Sequence, residues 1–387
     1  MIYRLKQAAD FGIRPFAHID WFLFAAALAI SLLGLVTMHS FASDQDVFFD
    51  RQIIWVAVAV VAFFVASMPE YSFLRRTPVV VGVYGLVVFL LVAVFLFASV
   101  VKGAQSRFDL GLFAVQPADL AQLALIIVLA KYFARRHVQI AHIRHILVSG
   151  GYAFVIALLV FLQPDFGGAI IIAAMWLGMT LVAGISFKHL AALFLTGAIL
   201  AGGLWNLGLE QYQKQRILTF LHPLADIQGA GYNAYQSTVA IGSGGLTGKG
   251  IGFGTQSKLR FLPEYQTDFI FAAYAEEWGF IGIVLLFGLY ALVIMRTLAI
   301  AAHGSDNFAV LFGTGVTIMF ASHFAVHVGM NMGLLPVTGT TTPFMSYGGS
   351  HILAEFLALG MLSGMNRYAR AAHRDALEQE FSGGYDR

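Results

Sequence analysis

The polar and apolar positions of this chain do not alternate with a period of two. They fall into long unbroken apolar runs, most about 20 residues long, separated by short polar turns. A helix needs about that length to cross a hydrocarbon layer of about 30 Å. A membrane-spanning barrel would show alternating strands of about ten residues, and none is visible. The pattern predicts an all-α polytopic protein with about ten transmembrane helices. The expected spans are 21–41, 52–68, 78–100, 117–134, 145–162, 169–185, 190–209, 270–300, 308–332 and 351–366. The eighth is long enough to tilt or to project from the bilayer. One long polar segment, 210–269, separates the seventh and eighth spans. The chain therefore divides into an N-terminal segment 1–20, a single membrane domain 21–366 and a tail 367–387.

Composition agrees. Of 387 residues, 59% are hydrophobic and only 11% charged, against about 25% in an average soluble domain. Too few charges are present to cover a water-soluble fold of this size. There is no cysteine, so disulfides and thiolate metal sites are excluded. A net charge of +2 gives no reason to expect nucleic acid. The first apolar run, from Trp21, is too long for a signal peptide core and has no small-residue cleavage site.

Lys and Arg set the orientation. Arg4, Lys6 and Arg14 precede the first span. Arg75 and Arg76, then Arg135, Arg136 and Arg144, then Lys188, Arg296 and finally Arg367, Arg370 and Arg374 lie on alternate loops. Ten crossings then place both termini in the cytoplasm and segment 210–269 outside.

Three stretches interrupt the apolar pattern: 101–131, with Arg107, Gln116, Asp119 and Gln122; Gln163-Pro164-Asp165; and the long outer segment with its counterpart at 333–350. In the outer segment, Ser243 to Gly250 is glycine-rich around Lys249. Such backbone can approach a phosphate closely. It fails as a nucleotide loop, because Ser243 stands where the first Gly is required and Gly250 where Ser or Thr is required. A lipid-linked phosphate outside the membrane suits it better, with Lys214, Arg216, Lys249, Lys258 and Arg260 as counter-charges. Each of those cations has an alternative role in touching lipid headgroups.

Asp268 stands where the outer segment enters the eighth span. Partial desolvation would make it a base, whereas its position alone favours a helix N-cap. Glu276 and Glu277 follow within the same helix, where carboxylates are costly. Asp268, Ala272, Ala275 and Glu276 share a helical face and suggest a carboxylate-lined cavity; the alternative is a pair of buried, hydrogen-bonded acids. His323 and His327, four residues apart, read as polar packing rather than as a metal site, and Glu355 is an intramembrane acid with no evident partner.

Taken together, Gly229-Ala230-Gly231-Tyr232, Ile241 to Leu246, Gly248-Lys249-Gly250, Phe261-Leu262-Pro263-Glu264, Thr267 to Ala272, Glu276-Glu277, Leu335 to Gly339 and Pro343 to Ser350 resemble the SEDS (shape, elongation, division, sporulation) family. With Gln116-Pro117 and Gln163-Pro164-Asp165 the resemblance spans nearly the whole membrane region. The Gly254-Thr255-Gln256 and Leu335-Pro336-Val337-Thr338-Gly339 runs are closer to the elongation-type members than to the division type.

The resemblance implies an inverting peptidoglycan glycosyltransferase that polymerises lipid II on the outer face of the inner membrane. Asp268 is then the essential carboxylate. Around lipid II and the undecaprenyl-diphosphate-linked glycan it implies Lys249, Arg216, Lys214, Lys258, Arg260, Arg107, Asp119, Glu276, Glu277, Glu264, Ser346, Gln163 and Asp165. Mg2+ or another divalent cation is a further expected source of positive charge, and no nucleotide is needed. The implied partners are a class B penicillin-binding transpeptidase and other membrane proteins of the elongation complex.

Departures from the family pattern stand at Gln122, Gln266, His327 and Glu355. His327 and Glu355 are expected to pair with each other across the last two helices. A lipid II flippase and a non-catalytic scaffold for a transpeptidase are the competing readings. The long ordered outer segment and the absence of an inverted repeat argue against the flippase.

Overall fold

The computed structural model describes residues 19–41, 48–98, 106–109, 114–135, 143–208, 231–259 and 261–382, with isolated positions between 210 and 220; beyond residue 367 it describes backbone alone. The long helices are α1 (Trp21–Phe41), α2 (Phe48–Ala66), α3 (Thr77–Phe97), α4 (Pro117–Ala134), α5 (Ile143–Leu162), α6 (Phe166–Ala183) and α7 (Phe187–Leu207). Shorter helices α8 (Tyr232–Ser243) and α9 (Thr255–Lys258) follow. The chain then completes α10 (Ile270–Ala302), α11 (Asn307–Asn331) and α12 (Gly349–Ser382). A small antiparallel hairpin, β1 (Phe108–Asp109) with β2 (Ala114–Val115), precedes α4.

Each expected span coincides with a helix. By length and composition, eight of these helices can cross a membrane. The other two expected spans form α7 and the first part of α12. In α12 the polar residues His351, Glu355, Ser363 and Asn366 lower the hydropathy, and all four are turned inward and buried. Protein, not lipid, surrounds them.

α4 is the centre of the bundle, with 78% of its apolar window buried, against 22% for the more hydrophobic α3. Alanines at 118, 121, 124 and 130 let neighbours approach α4 closely. α11 packs on α4, α6 and α10; α12 packs on α2; and α10 packs on α1. Phe63, Leu125, Phe133, Ile171, Met175, Phe312, Phe320 and Phe356 form the dry core between them.

Ion pairs close one end of the bundle. Asp20, which also accepts from the amide of Leu23 at 3.1 Å, pairs with Arg296, and Arg75 pairs with Asp306. The opposite end carries residues 114–116, 163–165, 231–259, 261–269 and 332–350. The backbone amide of Gln116 donates to Ser350 Oγ at 3.1 Å there, and Ser346 Oγ donates to the carbonyl of Thr267 at 2.8 Å.

α10 is broken at Gly279, whose φ of 64° and ψ of −163° interrupt the helix. The break leaves helix carbonyls and amides without helical partners, which membrane depth does not tolerate. The glycine-rich segment after α8 supplies the missing bonds. Lys249 N donates to the carbonyl of Glu276 and Gly250 N to that of Glu277, both at 3.0 Å. Phe280 N donates to the carbonyl of Gly245 at 2.9 Å, and Ile281 N to that of Leu246 at 3.1 Å. Gly248 and Gly279 both have positive φ; a Cβ on Gly248 would overlap the carbonyl of Glu277, and one on Gly279 would overlap the amide of Gly248.

Candidate active site

Asp268 is half-buried at the end of a tight turn. The carbonyl of Glu264 accepts from the amides of Thr267 at 3.1 Å and Phe269 at 3.3 Å. Phe269, not Asp268, stands at the N-cap position of α10, and the Phe269 side chain makes no cap hydrogen bond. Three consecutive carbonyls lock the turn. That of Gln266 accepts from Tyr347 N at 2.8 Å, that of Thr267 from Ser346 Oγ at 2.8 Å, and that of Asp268 from Asn331 Nδ2 at 2.9 Å. Ser346 is itself held by Thr342 N at 2.8 Å and, through its carbonyl, by Gln52 Nε2 at 3.2 Å. Asn331 also donates to the carbonyl of His327 and receives Ser237 Oγ on its own carbonyl.

Facing the carboxylate is Gly339, at φ 73°; a Cβ there would lie 3.4 Å from Asp268 Oδ2. Glycine keeps that approach open. Thr338 and Thr340 on either side of it touch Gly167 at the start of α6. The site thus continues into a second carboxylate group. Asp165 accepts from Gly168 N at 2.7 Å, capping α6, and from Gln116 Nε2 at 3.2 Å. Burial and the neighbouring Asp119 carboxylate raise its pKa, while those two donors restrain the rise.

Asp119 receives Ser350 Oγ at 2.7 Å and faces His351 Nδ1 at 3.2 Å; the other ring nitrogen of His351 lies 2.9 Å from Glu355. One imidazole thus stands between two buried acids. Gln122 contacts His323 Nε2 at 2.7 Å, and a small cavity lies between Asp119, Gln122, His323, His351 and Glu355.

Several expectations are corrected. Ser243 to Gly250 is not a phosphate cradle, since the amides of Lys249 and Gly250 are consumed by the broken α10. Lys249 does not serve a diphosphate: its Nζ sits 2.7 Å from Glu276, a fully buried acid that needs a counter-charge. Glu276 does not share a cavity with Asp268. Its Oε1 takes Lys249, Thr255 Oγ1 and Gln256 N, and its Oε2 takes Ser257. Glu277 accepts from Gly252 N at 2.6 Å. Gln163 faces away from the site and donates to the carbonyl of Leu91 at 2.9 Å. His327 and Glu355 do not pair; His327 Nδ1 meets the carbonyl of Thr340 at 2.7 Å, and Glu355 accepts from Phe344 N at 2.7 Å.

Among the remaining cations, Arg107 is exposed beside β1, Lys214 is half-buried, and exposed Lys258 donates to the carbonyl of Gly252 at 3.3 Å. Arg216 and Arg260 lie outside the described residues. Glu264 belongs to the turn, through its carbonyl, at a left-handed φ of 50°. Among the described residues no three His, Asp or Glu side chains converge as a metal cage.

A family model for cell cycle proteins of the FtsW, RodA and SpoVE type matches residues 16–371. The chain belongs to this family.

It is the family whose motifs the sequence resembles. Among curated family members, the peptidoglycan glycosyltransferase MrdB of Escherichia coli K12 is 36% identical over 355 residues, covering 91% of this chain and 95% of MrdB. Two solved family structures share the fold. One is a chain of a peptidoglycan synthase complex that coordinates polymerization and crosslinking, with TM-score 0.77, 30% identity and coverage of 90% and 98%. The other is the rod shape determining protein RodA of Thermus thermophilus, with TM-score 0.68, 28% identity and coverage of 91% and 98%. Like them, this family member is a multi-pass membrane protein. Motif reasoning found Asp268 and Ser346 but missed Asn331, Gln52 and His351. Asn331 sits alone in an apolar run, whereas Gln52 follows Asp50-Arg51 and His351 adjoins Ser350 at the edge of a motif.

Proposed function

We propose that this chain is a peptidoglycan glycosyltransferase that polymerises lipid II on the outer face of the cytoplasmic membrane, with both termini inside, in cell elongation. The observation that carries this reading is the Asp268 turn. Three pinned carbonyls hold one carboxylate at the mouth of a broken helix, opposite a glycine that leaves room for a substrate.

The donor is a glycan joined through C1 of its terminal sugar to undecaprenyl diphosphate. The acceptor is the 4-hydroxyl of the sugar on lipid II. The acceptor oxygen attacks C1, its proton passes to the Asp268 carboxylate, and the C1–O bond breaks. The electron pair leaves with the diphosphate, and the anomeric centre inverts. Holding two anchored substrates in line contributes several kcal/mol, a large part of such a barrier.

Lys214, Lys258, Arg107, Arg216 and Arg260 are the cations left to meet the diphosphate, since Lys249 is committed to Glu276. Any divalent cation is assigned to the substrate diphosphate and not to a protein cage. A class B penicillin-binding transpeptidase is the proposed partner, in line with the synthase complex that this fold matches.

The test is polymerisation of labelled lipid II by purified, reconstituted protein. Asp268→Asn is expected to insert and melt as the parent does and to make no polymer. Near-normal turnover by that variant would overturn the assignment.

A further inference from the structure

The segment between α8 and α10 leaves large apolar side chains uncovered at the outer end of the molecule. Leu246 is 72% and Phe253 70% exposed, and Ile251, Leu259 and Phe261 are exposed beside them. From Gly244 to Phe261 the sequence holds no acid, but it holds Lys249, Lys258 and Arg260. Apolar residues with cations and no acid are the composition of a segment lying in a membrane interface.

Two helices, both measured from the Asp20–Arg296 ion pair, place this segment in depth. The Asp20–Arg296 ion pair marks one level near the opposite end of the bundle. α1 rises from there to Ser40 and Phe41, about 30 Å away at 1.5 Å per residue. A Cβ on Gly252 would lie 3.8 Å from the Ser40 carbonyl, and one on Gly254 would lie 2.9 Å from Phe41 Cζ. α10 gives the second ruler. Ile281 lies about 22 Å above Arg296 along the helix, and its amide holds the carbonyl of Leu246. A hydrocarbon core is about 30 Å thick. Both rulers put the segment within its outer boundary.

The surface is continuous as well. Phe280, Ile281, Val284 and Leu285 form the exposed apolar strip of α10, and Ile281, at 63% exposure, is as bare as its neighbour Leu246. The strip passes from helix to loop without a polar break.

We infer that residues 244–259 and Phe261 lie in the outer leaflet, with Leu246, Ile251, Phe253, Leu259 and Phe261 against phospholipid acyl chains. The segment leads into the Asp268 turn through Leu262, whose amide donates to the carbonyl of Gln256 at 3.0 Å. A lipid-anchored substrate would then meet the carboxylate at the depth of its own headgroup. The lipid contact itself does not depend on the catalytic reading and is measured without turnover.

The sequence has no cysteine, so single labels are unambiguous. Leu246→Cys and Phe253→Cys, spin-labelled and reconstituted in phospholipid vesicles, are compared by their collision rates with oxygen and with a water-soluble nickel chelate. Leu285→Cys serves as the lipid reference and Ser305→Cys, in the exposed turn before α11, as the aqueous one. The expected result is oxygen dominant over nickel at 246 and 253, as at 285, with the ratio inverted at 305. If 246 and 253 follow 305, the segment stands in water and the inference fails. Exclusion of both reagents would mean that protein covers the patch, and it fails equally.

Discussion

Asn331 Nδ2 donates to the backbone carbonyl of Asp268 at 2.9 Å, joining the end of α11 to the turn that precedes α10. The side chain is fully buried, and the same amide nitrogen holds the carbonyl of His327. It orders the backbone of Asp268 without touching its carboxylate. Asn331→Ala is therefore expected to lower kcat about tenfold, the equivalent of one lost hydrogen bond at about 1.4 kcal/mol. KM for lipid II should change much less. Progress curves across substrate concentrations check the split.

The Lys249–Glu276 pair predicts a coupling. Lys249→Met leaves a buried carboxylate without its counter-charge and should cost about 3 kcal/mol of stability. Adding Glu276→Gln should return much of that loss, because the uncompensated charge is gone. Melting of the single and double variants in detergent reads the cycle. Strictly additive losses would show that the two residues act separately.

Gly279 and Gly248 interlock. Gly279→Ala and Gly248→Ala each force a side chain onto opposing backbone at positive φ. Strain and overpacking together should cost about 2–4 kcal/mol. Gly288→Ala, where a Cβ meets nothing within 4 Å, is the control. Monodisperse yield and Tm should fall for the first two and hold for the third.

Asp165 gives a pH dependence with a definite sign. Its pKa in the fold is raised above the ordinary value of 3.8. Between those two values the folded state holds more protons than the unfolded state, so this group's contribution to stability falls as pH rises through its folded pKa. Asp165→Asn keeps an oxygen for the Gly168 amide but does not ionise. Tm against pH should show the variant gaining on the parent as pH rises from 3.8. Parallel curves would rule out this titration.

The helices were readable because lipid imposes one rule on every spanning segment, and the rule leaves an apolar run in the sequence. α4 begins at Pro117 with Gln116 as its N-cap, and that boundary was legible from the residues. The candidate site was legible only where residues cluster in a motif. Asp268 was found that way. The glycine run 243–250 was misread, because glycine permits a close approach without saying whether an anion or a broken helix makes it. Nothing local says that Gly279 breaks α10 and calls for those amides.

The sequence alone therefore determined a helical membrane protein, the limits of most of its long helices to within a few residues, and the place of a carboxylate just before α10. Tertiary structure alone decided which intramembrane polar groups meet. His351 lies between Asp119 and Glu355, His327 meets Thr340, and Lys249 neutralises Glu276. Burial in lipid depends on composition summed along a segment, which a sequence displays directly. Pairing inside the bundle depends on how each helix is rotated and how deep it sits, and those are settled only when all the helices pack against one another.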